Sequence, residues 1–227
     1  MSVITVIAID GPAASGKGAV AQAVAEKLGF HYLDSGAIYR AAALAIEFAG
    51  KDIDSPDLLE AEAAVIAGNM DLRFNGNEIL LSDHNITDAV RSEQCGKNAS
   101  KIAVLPALRA ALLDLQLSFR RPPGLVAEGR DMGTVIFPDA VLKIFLTASA
   151  EVRAERRHKQ LMEKGINATI NDLLREIQLR DARDRERSIA PLRASNDTVT
   201  LDTSALDLPQ SIAAVLKHYA PLGKVAL

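Results

Sequence analysis

Three features of the amino-acid sequence predict a parallel α/β sheet. The chain opens on a nearly unbroken apolar, β-branched run, Val3-Ile4-Thr5-Val6-Ile7-Ala8-Ile9, the pattern of a strand covered on both faces. A glycine-rich turn and a stretch of helix formers follow it directly. Short apolar runs alternate with helical stretches again through the C-terminal half, as βαβ units require.

The elements follow in order. Ala19 to Leu28 has helical spacing, and Gly29 is placed to end that helix. Phe30-His31-Tyr32-Leu33 reads as a second strand, and Ser35 as the cap of a helix running to Ala49. Leu125-Val126-Ala127, Val141 to Leu146 and Thr198 to Leu201 read as three more buried strands. Helices are predicted over Glu151 to Lys164, Ile170 to Arg187 and Gln210 to Tyr219. The stretch from Lys51 to about Ser100 breaks this rhythm. Leu72-Arg73-Phe74 and Glu78-Ile79-Leu80-Leu81 flank Asn75-Gly76-Asn77, a β-hairpin signature. We therefore read the stretch as an inserted subdomain. From about Pro221 a loose tail is expected.

Composition narrows the class. With 227 residues the chain can bury a sizeable core in one domain or one domain with insertions. A net charge of −3 argues against nonspecific nucleic-acid binding. No window is apolar for long enough to span a bilayer. The N-terminal run lacks a basic leader and a small-residue cleavage site, so it reads as a strand rather than a signal. The single Cys95 excludes a disulfide framework and any CxxC motif, which suits a reducing cytoplasm. His31, His84, His158 and His218 show no paired metal-ligand spacing and read as structural or surface residues.

The strongest chemical signal is Gly11-Pro12-Ala13-Ala14-Ser15-Gly16-Lys17, which matches GxxxxGK between a predicted strand and a predicted helix. Glycines let backbone N–H groups turn inward around phosphates, and the helix N-terminus adds partial positive charge. Lys17 can reach the β- and γ-phosphates of a nucleotide. The hydroxyl residue that usually follows the lysine is missing, since Gly18 and Ala19 stand there. A Mg²⁺ ion would then be held by nucleotide oxygens and water, without a protein ligand. No apolar run ends in Asp-Glu to activate water, which favours transfer to a bound acceptor over hydrolysis.

Candidate acceptor residues gather at predicted strand ends, where ligands of open α/β sheets bind. Ser35 and Arg40 lie just past the second strand; on their own they would read as a helix cap and a solvated arginine. Glu128-Gly129-Arg130-Asp131-Met132-Gly133 puts three charges between two glycines past the third, and charges there need partners or ligands. On a helix, Arg180, Asp184 and Arg187 fall within roughly 60° of one another, a face suited to a phosphorylated sugar. Arg183 and Arg185 point elsewhere. Arg153, Arg156 and Arg157 share a helical face after the fourth strand and read as a lid able to close over phosphates.

Taken together, these residues resemble the bacterial cytidylate kinase family. The resemblance is carried by Ile9-Asp10-Gly11-Pro12, Ser15-Gly16-Lys17-Gly18, Leu33-Asp34-Ser35-Gly36-Ala37-Ile38-Tyr39-Arg40 and Glu128-Gly129-Arg130-Asp131-Met132-Gly133-Thr134-Val135. It continues through Phe137-Pro138-Asp139-Ala140 and the Arg180 to Arg187 segment, in the same order over nearly the whole chain. The block around Gly129 to Ala140 is specific to that family, whereas the phosphate loop alone is not. Ala19 departs from it, standing where the family usually has Thr.

The resemblance implies a nucleoside monophosphate kinase fold. That is a P-loop NTPase-like five-stranded parallel sheet flanked by helices, an enlarged NMP-binding insertion containing the β-hairpin, and a lid. The implied core is 1–34, 101–148 and 188–220, with the NMP-binding region about 35–100 and the lid with its following helix about 149–187. It implies the reaction ATP + (d)CMP = ADP + (d)CDP, in a cytoplasmic monomer. Gly11, Pro12, Ala13, Ala14, Ser15, Gly16, Lys17, Gly18 and Ala19, with Arg153 and Arg157, would bind ATP. Ser35, Arg109 and Asp131 would face cytosine; Arg40, Arg130 and Arg187 would hold the acceptor phosphate; Ser100, Arg180 and Asp184 would face the sugar. Lys17, Arg130, Arg156 and Arg187 would carry catalysis by positioning and charge neutralisation.

Overall fold

Strand β1 (Thr5–Asp10) forms the middle of the molecule's larger sheet. Its residues Val6, Ile7, Ala8 and Ile9 have no exposed surface, which is why the run carries apolar side chains on both faces. The computed structural model describes residues 4–55, 59–76, 78–163 and 165–222. The chain forms two compact units, one made of Met1–Leu33 and Phe119–Leu227, the other of Asp34–Ser118.

In the first unit, α1 (Lys17–Leu28) follows β1 and leads into β2 (His31–Asp34). After the second unit the chain returns as β6 (Gly124–Gly129), β7 (Leu142–Thr147), α7 (Ala150–Glu163), α8 (Ile170–Glu186), β8 (Val199–Asp202) and α9 (Leu208–Tyr219). The sheet order is β2-β6-β1-β7-β8. β1 runs parallel to β6, with Thr5 opposite Gly124, and to β7, with Ile7 opposite Leu142; β7 runs parallel to β8. Val20 and Val24 of α1 and Ile212 and Val215 of α9 pack with Ile7, Ile9, Val126, Ile144 and Leu146 into one core. Each fully buried side chain of this size contributes about 1.5–3 kcal/mol. Ala154 and Leu161 of α7 and Leu173 and Ile177 of α8 form a separate cluster. Of the helix predicted to Lys164, that last residue lies outside the described residues, as do 223–227 of the tail.

The second unit runs through α2 (Ser35–Phe48), α3 (Glu60–Gly68), β3 (Leu72–Asn75), β4 (Glu78–Leu81), β5 (His84–Asn85), α4 (Glu93–Ile102), α5 (Pro106–Ala111) and α6 (Leu113–Leu117). The predicted hairpin is present, with Leu72 opposite Leu81 and Asn75 opposite Glu78; Asn77 lies outside the described residues. A third strand, β5, joins it antiparallel through Leu80 and Asn85, and two residues are too few to announce a strand by alternation. Ala41, Leu44, Leu81, Ile86, Val90 and Cys95 form this unit's core.

Two predicted boundaries are corrected. The cap of α2 is Asp34, whose carboxylate accepts the N–H of Ala37 at 2.9 Å. Ser35 is the first helical residue, and its hydroxyl is used elsewhere. Helix α8 ends at Glu186 with Arg187 as its C-cap, where φ of −59° is still helical and the chain departs at ψ of 136°. The Arg187 N–H still bonds the Arg183 carbonyl at 3.2 Å, so Arg187 caps the helix and stays grouped with Arg180 about Asp184.

Candidate active site

The phosphate loop joins β1 to α1. Gly16 takes φ +87°, a left-handed conformation that side chains disfavour. Gly11 is required for another reason: a Cβ there would lie 2.0 Å from the Leu146 carbonyl oxygen. The first turn of α1 has neither a side-chain cap nor an acidic residue. Its N–H groups are left for an anion, with the helix dipole behind them. The Ser15 side-chain oxygen is buried within the loop and has no hydrogen-bond partner among the described residues. An anionic ligand of the loop would satisfy it. Lys17 Nζ lies 3.5 Å from Glu128 Oε2 and 3.5 Å from the Pro12 carbonyl. Glu128 also accepts from the Tyr32 hydroxyl at 3.2 Å. Ala19 is exposed in that first turn.

The segment after β6 is held from β1. Asp10 accepts the N–H groups of Met132 and Gly133, both at 2.8 Å. From Met132 to Ile136 the backbone forms a π-turn, closed by Ile136 N–H to Asp131 O and Phe137 N–H to Met132 O. Such turns recur at functional sites because they re-aim the side chains beside them. Here those neighbours are Arg130 and Asp131. Burial pushes the Asp10 carboxyl up to about 6, against the two N–H groups that hold it down.

Arg130 Nε donates to Asp184 Oδ2 at 2.8 Å, joining this segment to α8. Burial alone would raise the Asp184 carboxyl. Arg130, Arg180 and Arg187 outweigh it and hold the group below the ordinary carboxylate range. Asp184 is thus set among three arginines, whose guanidinium groups are the donors a phosphate would need. Asp131 is buried beside them, 3% exposed.

Arg153, Arg156 and Arg157 take three different environments. Arg153 is buried and forms a two-bond pair with Asp181 of α8, and it also donates to the Ala13 carbonyl at 3.0 Å. Arg156 donates to the Ser15 carbonyl at 3.2 Å and to the Thr203 carbonyl at 2.6 Å. Arg157 reaches Gln160 at 3.2 Å. The first two arginines thus hold two carbonyls of the phosphate loop, those of Ala13 and Ser15.

The remaining acceptor-side residues lie in the unit Asp34–Ser118. Arg40 donates to the carbonyls of Val90 and Ser92 at 2.6 and 2.9 Å. The Arg109 guanidinium sits 5.7 Å from the centre of the Tyr39 ring and donates to the Ala103 carbonyl. Ser100 is half-buried on α4. Ser35 donates to Gln116 Oε1 at 2.9 Å. Among the histidines, His31 contacts the Pro122 carbonyl at 2.9 Å and His84 packs against Phe48.

The cytidylate kinase family model matches residues 7–220. A cytidylate kinase of Cupriavidus necator is 54% identical over 220 residues, covering 97% of each chain. One from Polynucleobacter asymbioticus is 54% identical over 220 residues, covering 96% of this chain and 98% of its own. One from Nitrosomonas europaea is 51% identical over 221 residues, covering 97% of both.

The chain belongs to the cytidylate kinase family. It is an enzyme, a P-loop phosphotransferase. Three residues with buried partners, Asp10, Asp181 and Gln116, were given no role of their own in the sequence. Asp10 reads there as the end of a buried strand, yet a carboxylate closing an all-apolar run was itself a signal. Asp181 is one more charge in an Arg-Asp-rich helix, and only its burial against Arg153 separates it from its solvated neighbours. Gln116 carries no sequence signal at all.

Proposed function

We propose that this cytidylate kinase transfers the γ-phosphoryl group of ATP to CMP and dCMP, releasing ADP with CDP or dCDP. The observation that carries the reading is the phosphate loop with its uncapped helix N-terminus and Lys17, in a chain matched from residue 7 to 220 by the cytidylate kinase family model. The acceptor phosphate is already an anion, so the reaction needs no general base. Catalysis rests on alignment and on neutralising charge that builds on the transferred group. Lys17 is assigned to the β- and γ-phosphates, and Arg130, Arg156 and Arg187 to the charge of the donor and acceptor phosphates.

For the acceptor, Ser35, Arg109 and Asp131 are assigned to the cytosine, Arg40, Arg130 and Arg187 to its phosphate, and Ser100, Arg180 and Asp184 to the sugar. The three-arginine setting of Asp184 supports the phosphate and sugar assignments. Gly11 to Ala19 cradle ATP, with Arg153 acting through the Ala13 carbonyl and Arg157 from the lid.

Among the described residues no three His, Cys, Asp or Glu side chains are grouped to hold a metal. With Gly18 and Ala19 lacking hydroxyls, the Mg²⁺ that accompanies ATP is assigned to phosphate oxygens and water, where it supplies further charge neutralisation. No described helix is long and apolar enough to cross a membrane. The unpaired Cys95 supports a reducing, cytoplasmic setting. We assign the enzyme to a monomer.

The test is a panel of acceptors with ATP, read by ADP release. CMP and dCMP should be used, with UMP far behind and small nonnucleotide alcohols inactive. Equal use of UMP, or transfer to an alcohol alone, would overturn the substrate assignment.

A further inference from the structure

We propose that Gln116 is a positioning residue for base choice: by occupying the Ser35 hydroxyl proton, it leaves Ser35 able only to accept a hydrogen bond from the base. Gln116 lies on α6 with no exposed surface. Its amide nitrogen donates to the Leu112 carbonyl at 3.3 Å. That carbonyl can only accept, so it settles which end of the amide faces which way. The oxygen Oε1 is directed to Ser35, and Ser35 Oγ donates to it at 2.9 Å. Ser35 is itself 3% exposed, and this is its hydroxyl's single partner among the described residues.

A serine hydroxyl has one proton and two lone pairs, and by rotating it can serve either a donor or an acceptor. A free Ser35 would therefore suit both cytosine, whose exocyclic amino group donates, and uracil, whose carbonyl accepts at the same edge. Bonding to Gln116 removes that choice. Offering uracil a proton would leave Oε1 of Gln116 buried without a partner, and a buried unpaired acceptor is costly. A discriminating edge is built in this way from one buried glutamine on α6, four helices downstream of the α2 residue it controls. The inference rests on the assignment of Ser35 to cytosine made above.

The experiment measures kcat/KM for CMP and UMP at saturating ATP in wild type, Ser35→Ala, Gln116→Met and Gln116→Glu, with folding checked by circular dichroism. Methionine fills the space of glutamine without accepting a hydrogen bond. Gln116→Met should lower the CMP-to-UMP ratio about tenfold, mainly by raising UMP use, the factor expected from one restored hydrogen bond. At this fully buried position a glutamic acid stays protonated. It can donate to Leu112 and accept from Ser35, so Gln116→Glu should keep the wild-type ratio. If Gln116→Met does not fold, Gln116→Leu takes its place with the same expected loss of ratio. A wild-type ratio in the folded apolar variant would overturn the proposal. Ser35→Ala separates the two levels: if it leaves CMP use unchanged, Ser35 does not meet the base and the underlying assignment fails. If it impairs CMP use while the apolar Gln116 variant keeps its ratio, only the role of Gln116 fails.

Discussion

Arg153 and Asp181 join α7 to α8 through two parallel hydrogen bonds, Nη1 to Oδ1 at 3.0 Å and Nη2 to Oδ2 at 2.5 Å, with both side chains buried. The same guanidinium donates to the Ala148 and Ala13 carbonyls, each at 3.0 Å. One ion pair therefore ties the two helices to the phosphate loop. Removing one partner of a buried pair leaves an uncompensated charge, which costs about 3–5 kcal/mol. Asp181→Ala should lower unfolding stability by that amount in urea titrations. The double variant Arg153→Met with Asp181→Leu should recover much of the loss. A loss below about 1 kcal/mol in the single variant would show that water reaches the pair.

Lys17→Met keeps the length of the side chain and removes its charge. The loss of a contact to developing negative charge lowers kcat by about 10²–10³. Circular dichroism should show an intact fold, since the contact with Glu128 is long, at 3.5 Å, and Glu128 keeps the Tyr32 hydroxyl as a partner. Near-normal turnover in the folded variant would take Lys17 out of the mechanism.

Asp10 predicts a pH dependence of stability with a definite sign. Its carboxyl titrates at about 6 in the folded chain against an ordinary value of 3.8. The folded state therefore holds more protons than the unfolded state between those values. Stability contributed by this group is complete below pH 3.8 and is lost as pH rises through 6. The loss amounts to about 3 kcal/mol at most. Asp10→Asn cannot titrate, so the stability difference between wild type and variant should shrink in wild type's disfavour from pH 4 to pH 6.5. Urea melts across that range give the slope, and parallel curves for the two proteins would contradict it.

Ala19 is exposed in the first turn of α1, so a threonine there meets no packing obstacle. Ala19→Thr should fold normally and lower the KM for ATP, by up to about tenfold for one added hydrogen bond to a charged group. Loss of activity in a folded Ala19→Thr protein would mean that the loop's geometry cannot take a hydroxyl at this point.

The sheet and the phosphate loop were legible in the sequence because their signals are local. A strand buried on both faces must be apolar throughout, and a turn that cradles phosphate must be rich in glycine. Both constraints act on neighbouring residues, so Val6 to Ile9 and Gly11 to Lys17 carry them openly. The clustering of Arg180 and Asp184 was also legible, since helical periodicity alone places them together. The end of α8 was not. Periodicity runs on through Arg187, whereas the chain departs from the helix at that residue's ψ.

What only the tertiary structure decided is which charges and amides meet across long separations. Asp10 finds the backbone of Met132 and Gly133, Arg153 finds Asp181 and Ala13, and Ser35 finds Gln116. Each side chain looks in sequence like its solvated or capping counterpart, because a hydrogen bond has the same chemistry wherever its partner comes from. Burial makes the difference: a polar group removed from water must find a specific partner, and sheet order and helix packing, rather than adjacency in the chain, supply it.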